Sequence, residues 1–380
     1  MFNKKKILFI TGTRADYGKI KPLLKALENS EKFQLYIYVS GMHLLSIFGD
    51  TYNEILKDNY QNTYIAYGLI NSKSMSYNLG DVVCNLTGYV EKIKPDMVIV
   101  HGDRIDALAG AIVGALNNIM VGHIEGGEVS GTIDESIRHA ISKFAHMHFV
   151  SNENAKSRLI QLGENKEDIY VIGSPDIDVM KSDMLPTLQQ AKDRYQINFE
   201  DYGILMYHPV TTEYQSIGNK IKNIVDSVIA SNKNYIVIYP NNDLGSEVIL
   251  NEYKRFSKNE KIRLFPSLRF EHFLSLLKNS DFMIGNSSAG IRETCIYGIP
   301  SIDIGTRQEG RYSVNKTKNI IHVNENAEDI LNAINKINEL RISSCEFGKG
   351  NSTDLFLNII EKSEIWNKCL QKKFIDLKGF

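Results

Sequence analysis

The chain has 380 residues, which favours two domains of somewhat under about 200 residues each over one compact core. Hydrophobic residues make up 43% and charged residues 23%, so a disordered chain, a collagen-like repeat and a small disulfide scaffold are excluded. The 44 Lys and Arg nearly balance the 45 Asp and Glu, and the net charge is -1. With this balance the chain has no excess of positive charge that would attract a nucleic-acid backbone or an anionic membrane, so neither is predicted as a partner.

The cysteines lie far apart in the sequence, at Cys84, Cys295, Cys345 and Cys369. Because they form no Cys-x-x-Cys pair, neither a zinc site nor a disulfide framework is predicted, and a cytoplasmic location fits. The basic start of the chain leads into the apolar run 7–10, which is too short for a signal peptide and indicates a buried strand. No run of about 18 apolar residues occurs in the sequence, so no membrane span is predicted.

Short β-rich apolar runs alternate with longer helical patterns from the first residues onward. This alternation is typical of βαβ units, in which helices cover both faces of a parallel sheet. The predicted strands of the first half are 7–11, 35–40, 97–102, 120–125, 148–151 and 169–173. Its clearest helices, with apolar residues three and four apart, are 19–28, 77–93, 105–117 and 134–145.

The alternation stops around Pro175 to Pro186 and then restarts, which marks a second domain. The predicted strands there are 203–207, 235–239, 262–265, 282–285 and 301–304. We expect domains at 1–175 and 176–380, with a final helix at about 353–372 that packs back on the first domain. The predicted fold class is α/β, with two Rossmann-like doubly wound domains facing across a cleft. Ligands bind such sheets at the carboxyl ends of the strands, so the cleft is the expected site.

The first strand leads directly into the segment Gly-Thr-Arg-Ala-Asp-Tyr-Gly-Lys (12–19) and a helix. A glycine turn here can bring backbone N–H groups and Arg14 to a phosphate, and Asp16 lies in the same segment. The segment is not a Walker loop, because its second glycine comes late and Ile20 stands where Ser or Thr binds magnesium. It also lacks the Gly-x-Gly-x-x-Gly pattern, so NAD is not predicted. A turn glycine with a solvated arginine is the alternative.

Two further motifs each close a strand of nearly pure aliphatic residues, namely His-Gly-Asp-Arg (101–104) and His-Ile-Glu-Gly-Gly-Glu (123–128). An unpaired charge at a buried strand end is costly, so carboxylates there favour chemistry over packing. Asp103 and Glu125 can converge on one substrate as base and acid, with burial and mutual repulsion separating their pKa values. A structural salt bridge with Arg104 or a neighbour is the alternative for both carboxylates.

The loop after the second motif enters a helix that carries Asp134, Glu135 and Arg138. Asp134 can simply cap this helix, and Glu135 with Arg138 can form a plain surface pair, so a structural interpretation stays open for all three. His146 and His148 point the same way from a strand, but no third ligand stands nearby in sequence. We interpret them as strand-edge histidines and predict no metal site.

Polar residues follow the strands of the second half as well. His208 and Asn241 each come directly after a strand, although an ordinary turn explains Asn241 almost as well. Arg307 also follows a strand, which places an arginine at the cleft mouth to meet a leaving diphosphate.

The segment Gly-Asn-Ser-Ser-Ala-Gly (285–290) lies between a strand and the start of a helix. Free backbone N–H groups there, with the hydroxyls of Ser287 and Ser288, can bind a diphosphate without net positive charge. Glu293, one turn into the helix, can accept hydrogen bonds from both ribose hydroxyls. The segment therefore predicts a nucleotide site.

Taken together, the motifs resemble one known family along nearly the whole chain. They read TGTRADYGK, HGDRIDALA, HIEGGEVSGTIDESIRH, HPVTT, GNSSAGIRE and GTRQ. The chain resembles the hydrolysing UDP-N-acetylglucosamine 2-epimerases that begin sialic acid synthesis. The resemblance implies a fold like that of the two-domain GT-B glycosyltransferases, a homodimer or homotetramer, and chemistry that needs no metal or other cofactor.

Matched position by position, the resemblance implies roles for individual residues. The implied substrate-binding residues are Arg14, Asp16, His43, Arg104, Asn241, Phe265, Ser287, Ser288 and Glu293. Among them the arginines contact the diphosphate or uridine, the serines form the phosphate turn and the glutamate holds the ribose. The asparagine and phenylalanine lie along the uracil side, and the histidine reaches toward the sugar. Gly18 replaces a serine of some relatives, a contact that backbone can also make.

The implied catalytic residues around the sugar are Asp103, Glu125, Asp134, Glu135, Arg138, His208 and Arg307. The resemblance implies that UDP-N-acetylglucosamine loses UDP to give a glycal, which water converts to N-acetylmannosamine. Which carboxylate acts as base stays open at this point. The alternatives are a related UDP- or GDP-linked diacetamido sugar, a non-hydrolysing 2-epimerase, a glycosyltransferase and a non-enzymatic nucleotide-sugar sensor.

Overall fold

The structure is a computed structural model that describes residues 4–69, 72, 74–312, 317–337, 340–344 and 346–376. Met1–Asn3, at the basic start of the chain, and Cys345 lie outside the described residues. Among the described residues, no helix is long and apolar enough to cross a membrane.

Strands and helices alternate along both halves of the chain. The strands of the first half are β1 (Lys5–Thr11), β2 (Phe33–Val39), β3 (Thr63–Ile65), β4 (Met97–His101), β5 (Met120–Ile124), β6 (Met147–Val150) and β7 (Ile169–Val171). Those of the second half are β8 (Gly203–Met206), β9 (Tyr235–Ile238), β10 (Ile262–Phe265), β11 (Phe282–Gly285), β12 (Ser301–Ile304) and β13 (Ile320–Val323).

The α-helices lie between these strands and after the last of them. They are α1 (Arg14–Glu28), α2 (Tyr52–Lys57), α3 (Met75–Ile93), α4 (Ile105–Leu116), α5 (Ile133–Phe144), α6 (Glu153–Gln161), α7 (Pro175–Met180), α8 (Leu188–Tyr195), α9 (Ile217–Ala230), α10 (Ser246–Tyr253), α11 (Phe270–Lys278), α12 (Glu293–Tyr297), α13 (Ala327–Lys336) and α14 (Ser352–Ile360).

The chain forms two compact units. The first consists of Met1–Glu128, Asp134–Lys181 and Phe347–Phe380, and the second of Val129–Ile133 and Ser182–Glu346. Residues 176–181, which the sequence assigns to the second domain, belong to the first unit, where helix α7 runs to Met180. Ile177 and Met180 of this helix are buried there, which explains why the chain leaves the first unit only after it.

Each unit contains one parallel sheet. The first sheet has the order β3-β2-β1-β4-β5-β6-β7 and the second the order β10-β9-β8-β11-β12-β13. In β1, Ile7 and Phe9 belong to one core cluster, whereas Leu8 and Ile10 belong to another. Successive side chains of a strand point to opposite faces, so helices cover both faces of this sheet. The predicted α/β class with two Rossmann-like units is confirmed.

Helix α14 completes the core on one face of the first sheet. The ring of Phe356 meets Phe149 edge-on, with 4.9 Å between ring centroids, and lies 6.4 Å from Phe9. Ile360 and Ile365 are buried in the same cluster. The last described segment of the chain is therefore part of the first hydrophobic core.

The predicted final helix at 353–372 is wrong in its length, because α14 ends at Ile360. The indole Nε1 of Trp366 donates to the carbonyl of Ile360 at 2.9 Å, so that acceptor is used by a side chain instead of a further helical turn. Within the described residues after α14, a short 3-10 helix follows at Ser363–Asn367. All other strands and helices predicted for this sheet and the second one are present with small shifts at their ends, except that the helix predicted at 19–28 begins at Arg14.

Candidate functional site

Each sheet has a point at which its strand order reverses, and the predicted site residues follow the strands beside it. In the first sheet β1 and β4 are neighbours, and Arg14 and Asp103 follow their carboxyl ends. In the second sheet β8 and β11 are neighbours, and His208 and Ser287 follow theirs. Open α/β sheets bind ligands beyond such a switch point, so each unit places its predicted residues where a ligand is expected.

The turn after β1 is shorter than predicted, because helix α1 begins at Arg14. Thr13 is the N-cap of α1 and forms a capping box with Asp16. The carboxylate of Asp16 accepts the hydroxyl of Thr11 and the N–H of Gly12, the latter at 3.0 Å. Burial raises the pKa of Asp16 to about 6. Asp16 therefore stabilises this turn by hydrogen bonds to residues of the turn itself. Its contact with substrate stays a prediction.

Arg14 and His43 lie around this turn in different environments. Nη2 of Arg14, the first residue of α1, is 4.0 Å from the carboxylate of Glu54. His43 is fully buried, with Nε2 3.0 Å from the hydroxyl of Thr11 and Nδ1 2.7 Å from that of Thr51. Burial, with Arg14 nearby, lowers the pKa of His43 to about 3, so the ring is neutral. Each ring nitrogen of His43 is therefore within hydrogen-bond distance of a threonine hydroxyl.

Asp103 pairs with an arginine from a distant helix. Nη2 of Arg138 donates to the Asp103 carboxylate, and Nη1 donates to the carbonyl of Glu128 at 3.0 Å. Arg138 is 1% exposed, so its guanidinium is buried instead of lying at the surface as the sequence left open. Glu135 lies 3.4 Å from Nε2 of His139. The guanidinium of Arg138 thus fixes the turn after β4 to the loop after β5.

Glu125 has an unusual backbone conformation. Strand β5 ends at Ile124, and Glu125 follows with φ +65°, a left-handed value that is uncommon for a residue with a side chain. Its carboxylate accepts the hydroxyl of Ser174, and Nε2 of His101 lies 3.4 Å from its other oxygen. All three side chains are buried. Among the described non-glycine residues with positive φ, Glu125 is the buried one, and strain at a buried strand end favours a functional role.

The loop after Glu125 buries two more carboxylates. Glu128 accepts the hydroxyl of Ser151 at 2.6 Å, and Asp134 lies in the first turn of α5. Both are at most 5% exposed and contribute to the negative field around Arg138. Asp134 therefore lies near the ion pair described above and inside the first turn of α5, one residue after its start.

In the second unit, His208 is held by two asparagines. The side chain of Asn286 bonds both backbone groups of His208, at 2.7 and 2.9 Å. The N–H of Asn241 donates to Nδ1 of His208 at 3.0 Å, and Nδ2 of Asn241 donates to Asp243 at 2.6 Å. Asn241 is thus more than a turn residue, because its backbone orients the His208 ring.

The serine turn after β11 is compact. Gly285 has φ +132°, and a side chain there would overlap the carbonyl of Met206. The hydroxyl of Ser287 accepts the N–H of Ala289 at 3.3 Å. The N–H groups of residues 290–292 bond back to the carbonyls of Ser287 and Ser288. The prediction of free N–H groups along this turn is wrong for residues 289–292, and the two serine hydroxyls stay candidates for contact with a diphosphate.

Three further predicted residues lie around this turn. Glu293 is the first residue of α12 instead of lying one turn into it, and it is 1% exposed. Nη1 of Arg307 donates to the carbonyl of Asn286 at 3.2 Å. Phe265, the last residue of β10, packs against the ring of Tyr195 with 5.4 Å between centroids. The predicted residues of the second unit therefore surround the ends of β8, β10, β11 and β12.

Several residues that the structure brings to these strand ends were not predicted. They are His101, Asp106, Glu128, Ser174, Asn286 and Gln308. Asp106 fills the space beneath Gly12 and accepts the hydroxyl of Ser40 at 2.5 Å. Buried polar residues inside the quoted motifs were the available signal for most of them. Within the described ranges, no group of three or more His, Cys, Asp or Glu side chains is arranged to hold a metal ion.

A sequence model of known proteins, described as UDP-N-acetylglucosamine 2-epimerase, matches residues 25–361. The chain belongs to this family. A member of this epimerase family from Neisseria meningitidis serogroup B, named UDP-N-acetylglucosamine 2-epimerase, is 48% identical over 378 residues, which cover 98% of this chain and 99% of that protein. A Legionella pneumophila relative, named UDP-N,N'-diacetylbacillosamine 2-epimerase (hydrolyzing), is 36% identical over 96% of this chain and 99% of its own length.

Solved structures of the epimerase family share the fold. The crystal structure of UDP-GlcNAc 2-epimerase from Neisseria meningitidis bound to UDP-GlcNAc superimposes with a TM-score of 0.79 at 18% identity, covering 94% of this chain and 99% of that one. At this identity the similarity establishes the architecture of the epimerase and leaves the roles of individual residues as predictions.

Proposed function

We propose that this epimerase is of the hydrolysing type and converts UDP-N-acetylglucosamine and water into N-acetylmannosamine and UDP. The observation that carries the proposal is the pair of carboxylates at neighbouring strand ends, Asp103 and Glu125, each held by specific partners. Glu125 is buried on a strained backbone, and Asp103 lies half-buried at the neighbouring strand end where a substrate can reach it, so the two carboxylates favour acid–base chemistry. A sensor that only binds the nucleotide sugar needs no such pair.

The proposed reaction is an elimination followed by addition of water. A carboxylate takes the hydrogen at carbon 2 as a proton, the electrons of that bond form the double bond of a glycal, and UDP leaves from carbon 1. Water then adds at carbon 1, and a proton returns to carbon 2 on the opposite face. One intermediate thus gives both epimerisation and hydrolysis, and the sum is UDP-N-acetylglucosamine plus water to N-acetylmannosamine plus UDP.

The contacts favour a division of roles between the carboxylates. Asp103 is half-buried beside the guanidinium of Arg138, so its carboxylate is the more accessible of the two to a substrate. Glu125 is buried beside Ser174 and His101. We assign Asp103 to the first half of the reaction and Glu125 to the second, with Asp134 beside them.

The second unit supplies the nucleotide contacts in this proposal. The hydroxyls of Ser287 and Ser288 meet the diphosphate, and Glu293 meets the ribose. His208 and Arg307 donate to the departing diphosphate and stabilise the charge that develops on it. Their hydrogen-bonded positions at the ends of β8 and β12 support this assignment.

The hydrolysing type is supported by the loop 125–132, which resembles that group, and by the Legionella relative whose name carries the word hydrolyzing. The same relative favours a second candidate, in which the substrate is a UDP-linked diacetamido sugar. Turnover of a panel of UDP- and GDP-sugars, followed by NMR, separates the two candidates. N-acetylmannosamine as product places the enzyme at the start of sialic acid synthesis, as the resemblance implies.

Isotope labelling tests the mechanism. In heavy water the N-acetylmannosamine is expected to carry one solvent deuterium at carbon 2, because the glycal takes up a solvent proton there. In oxygen-18 water the label is expected at carbon 1 of the sugar, read by mass spectrometry before ring opening exchanges it. Label on the β-phosphate of UDP, or UDP-N-acetylmannosamine as a stable product, would contradict the hydrolysing elimination.

The predicted cytoplasmic location and the homodimer or homotetramer stay predictions. Fractionation of cells and light scattering of the purified protein would measure them directly.

A further inference from the structure

Asn286 follows β11 directly and is 1% exposed. Its Oδ1 accepts the N–H of His208 at 2.7 Å, and its Nδ2 donates to the carbonyl of His208 at 2.9 Å. A side-chain amide that bonds both backbone groups of one residue fixes that residue much as a neighbouring strand would. The side chain of Asn286 therefore anchors the end of β8.

The main chain of Asn286 anchors a second loop. Its carbonyl accepts Nη1 of Arg307 at 3.2 Å and Nε2 of Gln308 at 2.7 Å. Gln308 is fully buried, and its Oε1 accepts Nη1 of Arg311 at 2.9 Å. A carbonyl oxygen has two lone pairs, and both serve the loop after β12. One residue thus touches the backbone of His208 and the guanidinium of Arg307.

The orientation of the His208 ring depends on the same anchor. The N–H of Asn241 donates to Nδ1 of His208 at 3.0 Å, which makes Nδ1 an acceptor and assigns the ring proton to Nε2. The Asn241 N–H can reach the ring only while the backbone of His208 stays in place. Asn286, which holds that backbone, therefore acts on the ring through it.

We propose that Asn286 is a positioning residue that sets His208 and Arg307 together at the reacting diphosphate. The chemical consequence rests on the proposed function, whereas the positioning itself can be measured without substrate. An asparagine with a purely structural role would lower the stability of the unit when changed, but it would leave the His208 ring and the turnover of the folded enzyme unaltered.

Asn319 provides a matched control in the same unit. It is also fully buried, its Nδ2 donates to the carbonyl of Ile299 at 2.8 Å and its Oδ1 accepts Sγ of Cys295 at 3.2 Å. Asn286→Asp and Asn319→Asp each replace a buried NH2 donor by an oxygen. We expect both to lower the melting temperature, because each leaves a carbonyl without its donor. Asn286→Ser serves as a second variant in case the first does not fold.

Kinetics then separates positioning from stability. Asn286→Asp is expected to lower kcat by about a hundredfold with little change in KM, because displaced groups lose their interaction with the transition state. Asn319→Asp is expected to keep the wild-type kcat. In combination with Arg307→Lys, Asn286→Asp is expected to cost less than the product of the two single losses, because a side chain that no longer holds β8 also displaces the Asn286 carbonyl that Arg307 contacts.

Nitrogen NMR of the imidazole groups measures the positioning directly, with the His208 signals assigned by His208→Gln. Wild type and Asn319→Asp are expected to show His208 as a single tautomer protonated on Nε2, and Asn286→Asp and Asn286→Ser are expected to lose that signature. An unchanged signature, or a kcat in both Asn286 variants equal to that of the control, overturns the proposal. If the signature is lost but the wild type does not convert UDP-N-acetylglucosamine, the positioning role is supported and the proposed function fails.

Discussion

Glu125 carries its carboxyl group on a strained backbone. A left-handed conformation in a residue with a side chain costs about 1–2 kcal/mol, and at φ +65° Glu125 pays this cost directly after a buried strand. The conformation turns the chain away from the strand direction, so that the carboxylate meets Ser174 and His101. A glycine would adopt this left-handed conformation without the energetic cost. The presence of a glutamate at this position is therefore explained by the function of its carboxylate.

Removal of either central carboxylate tests the acid–base assignment. Asp103→Asn and Glu125→Gln are each expected to lower kcat by about a hundredfold or more, the usual scale for an acid–base group. The affinity for UDP should change little, because both side chains are assigned to the sugar. Steady-state kinetics and calorimetry with UDP measure the two quantities.

Glu164→Gln is the matched control for these variants. Glu164 is also a buried carboxylate of the first unit, bonded to His148 and Lys372. It lies beside β6 and β7 and has no role in the proposed reaction, so its replacement is expected to lower stability and leave kcat unchanged. Near-wild-type turnover of Asp103→Asn or Glu125→Gln would make that residue a structural one.

At the residue level the sequence predicts which side chains stand at strand ends, but not which of them meet. Asp103 and Arg138 are 35 positions apart, and no local pattern joins them. The same holds for Asn286 and His208, whose 78-residue separation is closed only by the neighbouring positions of β11 and β8. By contrast, the capping box of Thr13 and Asp16 is local, and its spacing was available in the sequence as a sign that α1 begins early.

Helix α4 lies so close to its sheet that its glycines have a packing role. A methyl group on Gly110 would lie 2.7 Å from Val100 and 2.8 Å from Ile10, whereas one on Gly88 of α3 would meet no atom within 4 Å. Gly88→Ala is expected to raise the free energy of unfolding by about 1 kcal/mol through helix propensity. Gly110→Ala is expected to lower it by about 1–3 kcal/mol through overpacking.

Urea unfolding of the two alanine variants measures this difference in sign. If Gly110→Ala were as stabilising as Gly88→Ala, the close approach of α4 to β1 and β4 would be refuted. Both substitutions remove the same backbone freedom from a helix, so the contrast isolates the contact with the sheet.

Elements were predictable wherever an apolar run was long and continuous, as in β4 and β5. The strands absent from the prediction are the edge strands β3 and β13. Strand β3 is only 3 residues long, and its middle residue, Tyr64, is 36% exposed. In β13 the third residue, His322, is exposed as well, which interrupts the apolar pattern. The edge strands β7 and β10 were predicted, so the short length of β3 and the exposed histidine of β13 explain the two omissions.

The whole molecule is expected to lose stability as the pH falls from 6.5 toward 3. Burial lowers the pKa of His43 and of His123 to about 3, so in this range the unfolded chain binds protons that the folded chain does not. Stability therefore decreases as pH decreases. Asp16 acts in the opposite sense between pH 3.8 and about 6, because burial raises its pKa and the folded chain binds its proton more tightly.

Urea unfolding at several pH values measures this slope. His123→Gln should make the loss below pH 6.5 shallower by up to about 1.4 kcal/mol per pH unit, the effect of one proton. His322→Gln is the control. The hydrogen bond to Asp303 raises the pKa of His322, so its stabilising effect is present below pH 6.5 and is lost as pH rises through its folded pKa. An acid slope unaltered by His123→Gln would contradict this account.

The place of α14 in the first core has a consequence for vectorial synthesis on the ribosome. Phe9 and Phe149 emerge early, but their partner Phe356 is made only after the whole second unit has been translated. At about 5–20 residues per second the wait is roughly ten to forty seconds. During that time the core on this face of the first sheet lacks the part that α14 supplies, and by the end of it the second unit has all of its described strands. The nascent chain is therefore expected to complete its second unit before its first, and to expose an apolar surface to chaperones until its last helix leaves the exit tunnel.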